Sequence, residues 1–348
     1  CLDTLTGGIK WFFKTDSDVN ELEVYEGNVV GGCDSGLAFC ISAKNGNCKL
    51  VRKLTSGIVS KIYKTIGFES ESLIVVTYNG DITFLDFVNG EILNSVKLGH
   101  SILGNVRYVN TKYNSKIYVP TLTGKIFQLS LSFNDVSEIK VFDIEYPDQY
   151  SVTGFSQASI YSTPLIIDTK IYIGMVRQTS YDYPAIACIN TNSGEIDWYA
   201  SDHNKRGEDY GNVRTNIITF KNELLFVHPY SNEIGGINQG TGEVNCLTPL
   251  GRPMFQQWSS PIVYNDAIYI ARYDGYLYKV NGSSKEREWG IYLGEESDAG
   301  IVYDKDQPIS NENEQAAWEL YKGKSILSTP SIGSGKIFVG TDEGYLYC

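Results

Sequence analysis

The sequence has few of the residues from which many enzyme sites are built. It contains 3 His and 2 Met among 348 residues, which leaves little material for a zinc site or a histidine-based triad. Its 7 cysteines form neither a Cys-x-x-Cys motif nor an adjacent pair, so spacing alone supports no zinc knuckle and no disulfide framework. No window approaches about 18 consecutive apolar residues, so the sequence predicts no transmembrane helix. The shortage of histidine therefore argues against a zinc enzyme and against an enzyme with a histidine-based triad.

Basic residues are also in short supply. The chain carries 29 Lys and Arg against 41 Asp and Glu, a formal net charge of −12. A negative surface repels polyanions, so nucleic acid and anionic lipid are poor candidates for partners.

Tyrosine and glycine, in contrast, are abundant. There are 25 Tyr and 34 Gly, and apolar residues make up 42% of the chain, enough to bury a core. Many Tyr and Gly with few strong helix formers are typical of short strands joined by tight turns. The composition therefore predicts an all-β protein.

A repeated unit runs through the chain. Each copy has small residues with Pro, an alternating strand, a turn, a second apolar strand, a Thr-Gly-like turn and a strand that often ends in Trp. The clearest copies begin at residues 162–164, 259–261 and 328–330. Four short strands in about 50 residues are typical of one β-propeller blade.

Turn glycines set the register of the repeat. The second turn glycine follows the first by ten residues in two copies, from Gly36 to Gly46 and from Gly80 to Gly90. The residue that lies four after the first glycine and six before the second is then the same structural position in every copy. This position occurs seven times in the chain when the two chain ends are counted as one copy. It holds Cys1 with Cys348, and Cys40, Phe84, Gln128, Cys188, Gly236 and Lys279.

The two chain ends complement each other. Residues 1–11 have the pattern of the last strand of a blade, and residues 328–348 have the pattern of the strands before it. We therefore predict one domain over residues 1–348, a seven-bladed β-propeller of four-stranded antiparallel blades, closed by strand 1–11 completing the C-terminal blade. The alternative is eight blades, with one in residues 290–327. Because both ends break within a blade, we also consider that the domain was cut from a longer chain.

Two segments carry a family resemblance. Residues 339–347, Val-Gly-Thr-Asp-Glu-Gly-Tyr-Leu-Tyr, and residues 2–11, Leu-Asp-Thr-Leu-Thr-Gly-Gly-Ile-Lys-Trp, resemble the PQQ-type β-propeller repeat. That family includes quinoprotein alcohol dehydrogenases and non-catalytic propellers. The resemblance is strongest in the copies ending at Trp11, Trp198 and Trp289, and it implies that these residues dock one blade on the next. Other copies have Leu50, Asn94 or Cys246 there, so we expect tryptophan docking to be irregular.

The resemblance favours the non-catalytic members. As it implies, the catalytic members are longer and eight-bladed, and they hold the quinone beside a vicinal disulfide with a calcium ion, whereas this chain has no Cys-Cys pair. We expect a binding or assembly scaffold of the cell surface or periplasm, with protein partners or self-assembly and no cofactor, calcium being the one to test. One alternative is a PQQ- and calcium-dependent alcohol or sugar dehydrogenase. Another is the extracytoplasmic sensor domain of a larger receptor.

Cysteines offer two disulfide hypotheses. Ring closure would bring Cys1 and Cys348 together, and Cys40 and Cys48 flank one turn and could pair across strands. The alternative is that these cysteines are small apolar side chains packed between blades. A third hypothesis makes Cys1 a lipidated N-terminus.

An acidic insertion interrupts the repeat at residues 290–327. It contains eight Asp and Glu against three Lys, and Asp304, Asp306 and Glu312 offer oxygen ligands for calcium. It lacks the spacing and the turn glycine of an EF-hand loop, so a solvated acidic loop is the alternative.

Overall fold

The chain is built from short antiparallel strands. The computed structural model describes residues 1–65, 71–110, 115–132, 135–144, 158–176, 186–200, 213–227, 233–250, 259–273, 275–293, 325–342 and 344–348. These residues form 27 strands in seven separate antiparallel sheets, and none of them lies in a helix. Each sheet is one blade, so the predicted all-β, seven-bladed β-propeller is confirmed.

The first compact unit, Cys1–Pro164, holds three blades. Blade 1 consists of β1 (Val19–Tyr25), β2 (Asn28–Cys33), β3 (Leu37–Ser42) and β4 (Cys48–Lys53). Blade 2 consists of β5 (Tyr63–Lys64), β6 (Ser72–Val76), β7 (Asp81–Asp86) and β8 (Ile92–Lys97). Blade 3 consists of β9 (Arg107–Asn110), β10 (Ser115–Pro120), β11 (Lys125–Ser132) and β12 (Asp135–Asp143).

The second unit, Leu165–Cys348, holds four blades. Blade 4 has β13 (Leu165–Ile167), β14 (Lys170–Gly174), β15 (Ile186–Asn190) and β16 (Ile196–Tyr199). Blade 5 has β17 (Ile218–Phe220), β18 (Glu223–Val227), β19 (Glu233–Asn238) and β20 (Val244–Pro249). Blade 6 has β21 (Ile262–Tyr264), β22 (Ala267–Ala271), β23 (Tyr276–Asn281) and β24 (Arg287–Tyr292), and blade 7 has β25 (Ser331–Gly333), β26 (Lys336–Gly340) and β27 (Leu346–Tyr347).

Blade 7 differs from the expectation in one respect. Among the described residues its sheet has three strands, whereas a fourth was expected from residues 1–11. That N-terminal segment folds on itself: Leu2 bridges Ile9, and the Lys10 N–H donates to the Cys1 carbonyl at 3.0 Å. Closure of the propeller by residues 1–11 therefore stays a prediction.

The predicted repeat position lies where the third and fourth strands of a blade pair. Cys40 pairs with Leu50, Cys188 with Trp198 and Lys279 with Trp289. In these three blades the register shifts directly after the pair, because the fourth strand carries one extra residue there. The position that the glycine spacing predicted thus lies beside a β-bulge in these three blades. The same pairing is found for Phe84 with Asn94, Gln128 with Lys140, and Gly236 with Cys246.

The turn after the third strand is closed by its own backbone. In blade 1 the Gly46 N–H donates to the Ser42 carbonyl four residues earlier at 2.8 Å, and in blade 2 the Gly90 N–H donates to Asp86 at 2.9 Å. Both glycines have positive φ angles, 73° and 72°. That left-handed conformation is strained for other residue types, which is why glycine recurs here.

Blade 6 has a lysine where the corresponding turns of blades 1, 2, 4 and 5 have glycine. Lys285 takes a φ angle of 61° and its N–H donates to the Asn281 carbonyl at 2.9 Å. Its buried ammonium pairs with Glu223 at 2.9 Å and lies 4.6 Å from the centre of the Phe220 ring. These contacts offset the cost of the left-handed backbone.

The middle strands carry the core of each unit. In the first unit the side chains of Ile74, Phe84, Ile117 and Leu129 are fully buried in one cluster that joins blades 2 and 3. In the second unit Leu224, Phe226 and Ile237 belong to the cluster that joins blades 4 and 5. In blade 1 the second and third strands are almost wholly buried, whereas the first and fourth strands are mostly exposed or half-buried.

Candidate functional site

Trp11 docks on the β3–β4 turn of blade 1. Its indole N–H donates to the Ala43 carbonyl at 3.1 Å. The ring lies over Gly46 so closely that a Cβ at this glycine would come within 2.7 Å of it. A tryptophan that precedes the blade therefore caps the turn of that blade.

Trp198, at the end of blade 4, makes the same contact with blade 5. Its indole N–H donates to the Gln239 carbonyl at 3.2 Å, and a Cβ on Gly242 would lie 2.4 Å from the ring. Tyr172 packs on the ring at a centroid distance of 5.9 Å. Trp289 of blade 6 is half-buried beside Tyr269, 6.2 Å between ring centroids, and packs on the cluster that contains Val339 of blade 7.

Other residues at the tryptophan position also reach the next blade. Leu50 packs on Gly90, where a Cβ would meet the leucine at 2.6 Å, and the Asn94 amide donates to Asp135 of β12 at 2.7 Å. The same position thus contacts the next blade in each of these copies, but the type of side chain that makes the contact varies. Of the Cys246 side chain nothing is described.

Within each unit no two of the cysteines that the structure describes form a disulfide. Cys40 faces Leu50 whereas Cys48 pairs with Ile41, and successive residues of a strand point to opposite faces. The register therefore explains why Cys40, buried in the blade 1 core, forms no disulfide with the exposed Cys48. Cys1 and Cys348 are both exposed, one in each unit, and their disulfide stays a prediction.

The calcium candidates cannot be placed. Asp304, Asp306 and Glu312 lie outside the described residues, as does most of the acidic insertion at 290–327. Within the part of the chain that the structure describes, no three His, Cys, Asp or Glu side chains form a group that could hold a metal ion. In the same residues no helix is long and apolar enough to cross a membrane.

The small polar residues before each first strand link neighbouring blades. The Ser260 N–H donates to Thr329 Oγ1 at 3.1 Å, and the Asn216 N–H donates to Ser260 Oγ at 3.0 Å. In the first unit the Lys61 N–H donates to Asn105 Oδ1 at 2.9 Å in the same way. The Ser/Thr-Pro motif of the repeat thus supplies an acceptor to the blade before it. We call these bonds the blade-linking bonds.

Asn105 also reaches a further blade and completes a charged cluster. Its amide nitrogen donates to Glu21 of β1, while the ammonium of Lys61 pairs with Glu23. Tyr63 lies beneath that ammonium, 5.8 Å from it to the ring centre, and its hydroxyl donates to the Val106 carbonyl at 2.9 Å. We call this group the first-strand cluster, because it joins the first strands of blades 1, 2 and 3. Its members are Glu21, Glu23, Lys61, Tyr63 and Asn105.

Burial dominates the electrostatics of the first-strand cluster. It raises the pKa of Glu21 above the ordinary carboxyl value, although the hydrogen bond from Asn105 and the charge of Lys61 act in the opposite direction. Burial likewise raises the pKa of Tyr63. A half-buried carboxylate with a raised pKa is a group that can exchange a proton or accept a hydrogen bond from a ligand, so this cluster is the candidate functional site.

The first-strand cluster does not fit a calcium–quinone centre. Calcium takes about six to eight oxygen ligands. Here Glu21 accepts from an amide nitrogen and Glu23 is paired with an ammonium, so both carboxylates already face donors. Sequence reasoning missed the cluster because Glu21 and Asn105 are 84 residues apart and no local pattern connects them.

Comparison with known proteins supports the architecture. No family model and no curated protein sequence matches the chain. The crystal structure of BamB from Moraxella catarrhalis is 13% identical with a TM-score of 0.68, covering 98% of this chain and 87% of that one. The computationally designed Ika8 protein is 12% identical with a TM-score of 0.63, covering 99% and 87%. Quinohemoprotein alcohol dehydrogenase from Comamonas testosteroni is 10% identical with a TM-score of 0.56, covering 79% and 61%.

Identities this low carry information about the fold alone. The similarity to BamB extends over 98% of this chain and therefore includes all seven blades. The chain has the fold of the PQQ-type β-propellers.

Proposed function

We propose that this chain is a non-catalytic scaffold that binds protein partners, and that it works outside the cytoplasm, at the cell surface or in the periplasm. Its partners are other proteins or further copies of itself. The fold similarity to BamB supports this class of function.

The observation that carries the proposal is the way neighbouring blades are held together. The blade-linking bonds of Asn105, Ser260 and Thr329 and the docked ring of Trp198 fix consecutive blades within each unit, and the ring of Trp11 fixes the N-terminal segment on blade 1. Turns and strand edges are then presented already ordered. A partner that binds them pays little ordering entropy, which is what a recognition scaffold requires.

A direct test is capture of partners by the purified chain from the extracytoplasmic proteins of the source cells, with the designed Ika8 propeller as a fold-matched control. Each captured protein is then purified and titrated against the chain by calorimetry. We expect at least one protein to bind the chain with a defined stoichiometry and not to bind the control. Failure of every captured protein to bind in the purified titration would contradict the proposal.

The alternative function is a PQQ- and calcium-dependent alcohol or sugar dehydrogenase, which the similarity to the quinohemoprotein alcohol dehydrogenase favours. Because the first-strand cluster does not fit a calcium–quinone centre, no reaction step is derived for it. Calorimetry with pyrroloquinoline quinone, first with calcium and then with a chelator, separates the two functions. We expect no binding heat, whereas tight calcium-dependent one-to-one binding would support the dehydrogenase. The sensor-domain hypothesis stays a prediction.

A further inference from the structure

Two long stretches of this acidic protein contain no acidic residue, residues 35–68 and residues 92–134, and the first has the denser positive charge, with six Lys and Arg against five in the longer second stretch. The chain as a whole has 41 acidic residues and a net charge of −12. The first stretch runs from the β2–β3 turn of blade 1 into blade 2. Its excess of positive charge is therefore local and does not follow from the overall composition.

Three of these six cations are neutralised by neighbours. Lys53 pairs with Asp16 at 3.1 Å, Lys61 pairs with Glu23, and Lys64 pairs with Glu71 at 2.8 Å as well as with Glu26. The other three are Lys44, Lys49 and Arg52, and they form no ion pair with any residue that the structure describes. They lie on the β3–β4 turn and on strand β4.

Strand β4 is an open edge. It is the last strand of blade 1, and among the residues that the structure describes only β3 pairs with it. The backbone N–H and C=O groups on the other side of such a strand are available to an added strand. With six residues β4 has the usual length of a strand, so it can pair with a short extended peptide along its whole length.

Side chains on β4 also suit an added strand. Val51 is 48% exposed and offers an apolar contact beside the cations, whereas Leu50 is turned inward onto Gly90. Lys49 is fully on the surface and Arg52 is half-buried. We call this surface, formed by Lys44, Lys49, Val51 and Arg52, the basic edge.

No other fourth strand that the structure describes has this character. In blade 3, β12 carries Asp135, Glu138 and Asp143 with a single lysine, and in blade 6 the charges of β24 are used internally. There Glu288 pairs with Lys279 at 2.6 Å, and Arg287 donates to the Leu250 carbonyl at 2.7 Å.

From these observations we propose that the basic edge is a docking site for an extended acidic segment of a partner protein, which adds to blade 1 as a further strand beside β4. The proposal rests on the scaffold function proposed above and names the chemistry of the partner. Main-chain hydrogen bonds supply affinity, and the cations select a segment with carboxylates at alternate positions.

The occupant follows from charge and backbone chemistry. A second copy cannot pair through its own β4, because the cations of the two edges would repel each other. A nucleic acid has no backbone amides to match those of a strand edge, and the net negative charge of the chain repels a long polyanion. An acidic peptide satisfies both the open backbone and the three cations.

The test measures fluorescence anisotropy of a labelled peptide, acetyl-TEVEVET-amide, with the full chain. We compare the wild type with the double variant Lys49→Glu/Arg52→Glu and with the control Lys97→Glu, a charge reversal on the exposed lysine of β8. We expect the double variant to bind about tenfold more weakly or worse, and the control to stay within about twofold of the wild type. All three proteins are first shown to have the same unfolding midpoint, so that a difference in binding does not reflect a loss of folded protein.

Two further probes test how the peptide binds. A peptide N-methylated at alternate residues keeps its charge and loses the amide donors that face the edge, and we expect it to bind about as weakly as the double variant does. Equal binding of the methylated peptide, or equal binding of wild type and double variant, would overturn the proposal. So would heparin binding that is tighter than peptide binding and lost in the double variant, because the edge would then be a polyanion site.

The partners captured for the proposed function separate the two proposals. A partner that binds wild type and double variant alike would leave the scaffold function standing and refute the basic edge. If no partner binds the wild type at all, the scaffold function itself fails.

Discussion

Among single residues, Asn105 has the widest reach, because its side chain serves three blades at once. Its oxygen accepts the Lys61 N–H of blade 2 and its nitrogen donates to Glu21 of blade 1, while its own backbone leads into blade 3. A serine or threonine, as found at this position in other copies, could supply the acceptor but could not span both partners.

Replacing Asn105 should weaken the first unit. In Asn105→Ala the Lys61 N–H and the Glu21 carboxylate both lose their partner, which costs about 1–3 kcal/mol in the free energy of unfolding. Urea unfolding followed by tyrosine and tryptophan fluorescence measures this cost. The control is Asn47→Ala, which removes an exposed amide from the β3–β4 turn; equal effects of the two changes would show that the bridge contributes nothing.

Glu21 should make stability fall as the pH rises. Burial raises its pKa in the folded chain above the unfolded value, so the folded state binds the proton more tightly. The resulting stabilisation is fully present below the unfolded pKa and is lost as the pH rises through the folded pKa. Glu21→Gln, which keeps an acceptor for Asn105 and never ionises, should therefore gain stability relative to the wild type between about pH 4 and about pH 7.5.

The matched control for Glu21 is Glu91→Gln. Glu91 is exposed in the β7–β8 turn, so its replacement should shift unfolding by the same small amount at both pH values. If the difference between Glu21→Gln and the wild type did not change with pH, Glu21 would have the same pKa in the folded and unfolded states.

At the scale of the element, the turns between third and fourth strands differ from blade to blade in whether a side chain covers the turn glycine. Gly242 has a φ angle of 75° and lies under the Trp198 ring. Gly194 has a φ angle of 84°, and a Cβ added there would meet no described atom within 4 Å beyond its chain neighbours. Both glycines donate their N–H to the residue four before. A comparison of substitutions at Gly194 and Gly242 therefore separates the cost of backbone strain from the cost of crowding against the Trp198 ring.

Alanine at these two glycines should have unequal costs. Gly194→Ala pays only for the left-handed backbone, about 1 kcal/mol. Gly242→Ala has the same cost and also displaces the indole, which adds about 1–3 kcal/mol. Thermal unfolding of the two variants measures the difference, and Trp198 fluorescence should change only in Gly242→Ala. Equal costs would mean that the ring moves away freely and does not hold blades 4 and 5 together.

Much of the element-level structure could be predicted because it is local. Ten-residue glycine spacing placed Cys40 at a position that recurs from blade to blade, since both turns lie within one blade, whereas its partner Leu50 became identifiable only in the structure. The local sequence was less informative about contacts between blades. Nothing near these residues in the sequence shows that Asn105 bonds to Glu21 or that the leucine at position 50 covers Gly90. Contacts between blades join residues about 40 or more positions apart, and their partners become identifiable only once the blades are stacked.

At the scale of the whole molecule, the reactivity of the thiols reports on the folding of both units in one experiment. Cys33, Cys40 and Cys188 are buried, and burial, with Asp197 nearby, raises the pKa of Cys188 to about 11. Cys1, Cys48 and Cys348 are exposed. We expect the three exposed thiols to react rapidly with Ellman's reagent in the native protein and the three buried ones to react only on unfolding, because a buried thiol ionises poorly.

The same titration tests the predicted disulfide between the chain ends. A native protein in which Cys48 alone of the exposed three reacts, and which yields two more thiols after reduction under denaturing conditions, would support the bond between Cys1 and Cys348. Seven reactive thiols in the denatured protein without reductant, and no gain on reduction, would exclude it. In the Cys48→Ser variant the fast reaction that comes from Cys48 should be lost, which assigns that reaction to this thiol.

The hydrogen-bonded turns also bear on how the protein ages. The chain has four Asn-Gly pairs, the dipeptide in which asparagine most readily loses its amide when the following nitrogen attacks the side chain. In each pair that nitrogen already donates a hydrogen bond: Gly46 to Ser42, Gly80 to Thr77, Gly90 to Asp86 and Gly282 to Asp266, at 2.8–2.9 Å. An attack would first have to break the turn, so bonds that close the blades also protect the chain from slow chemical decay.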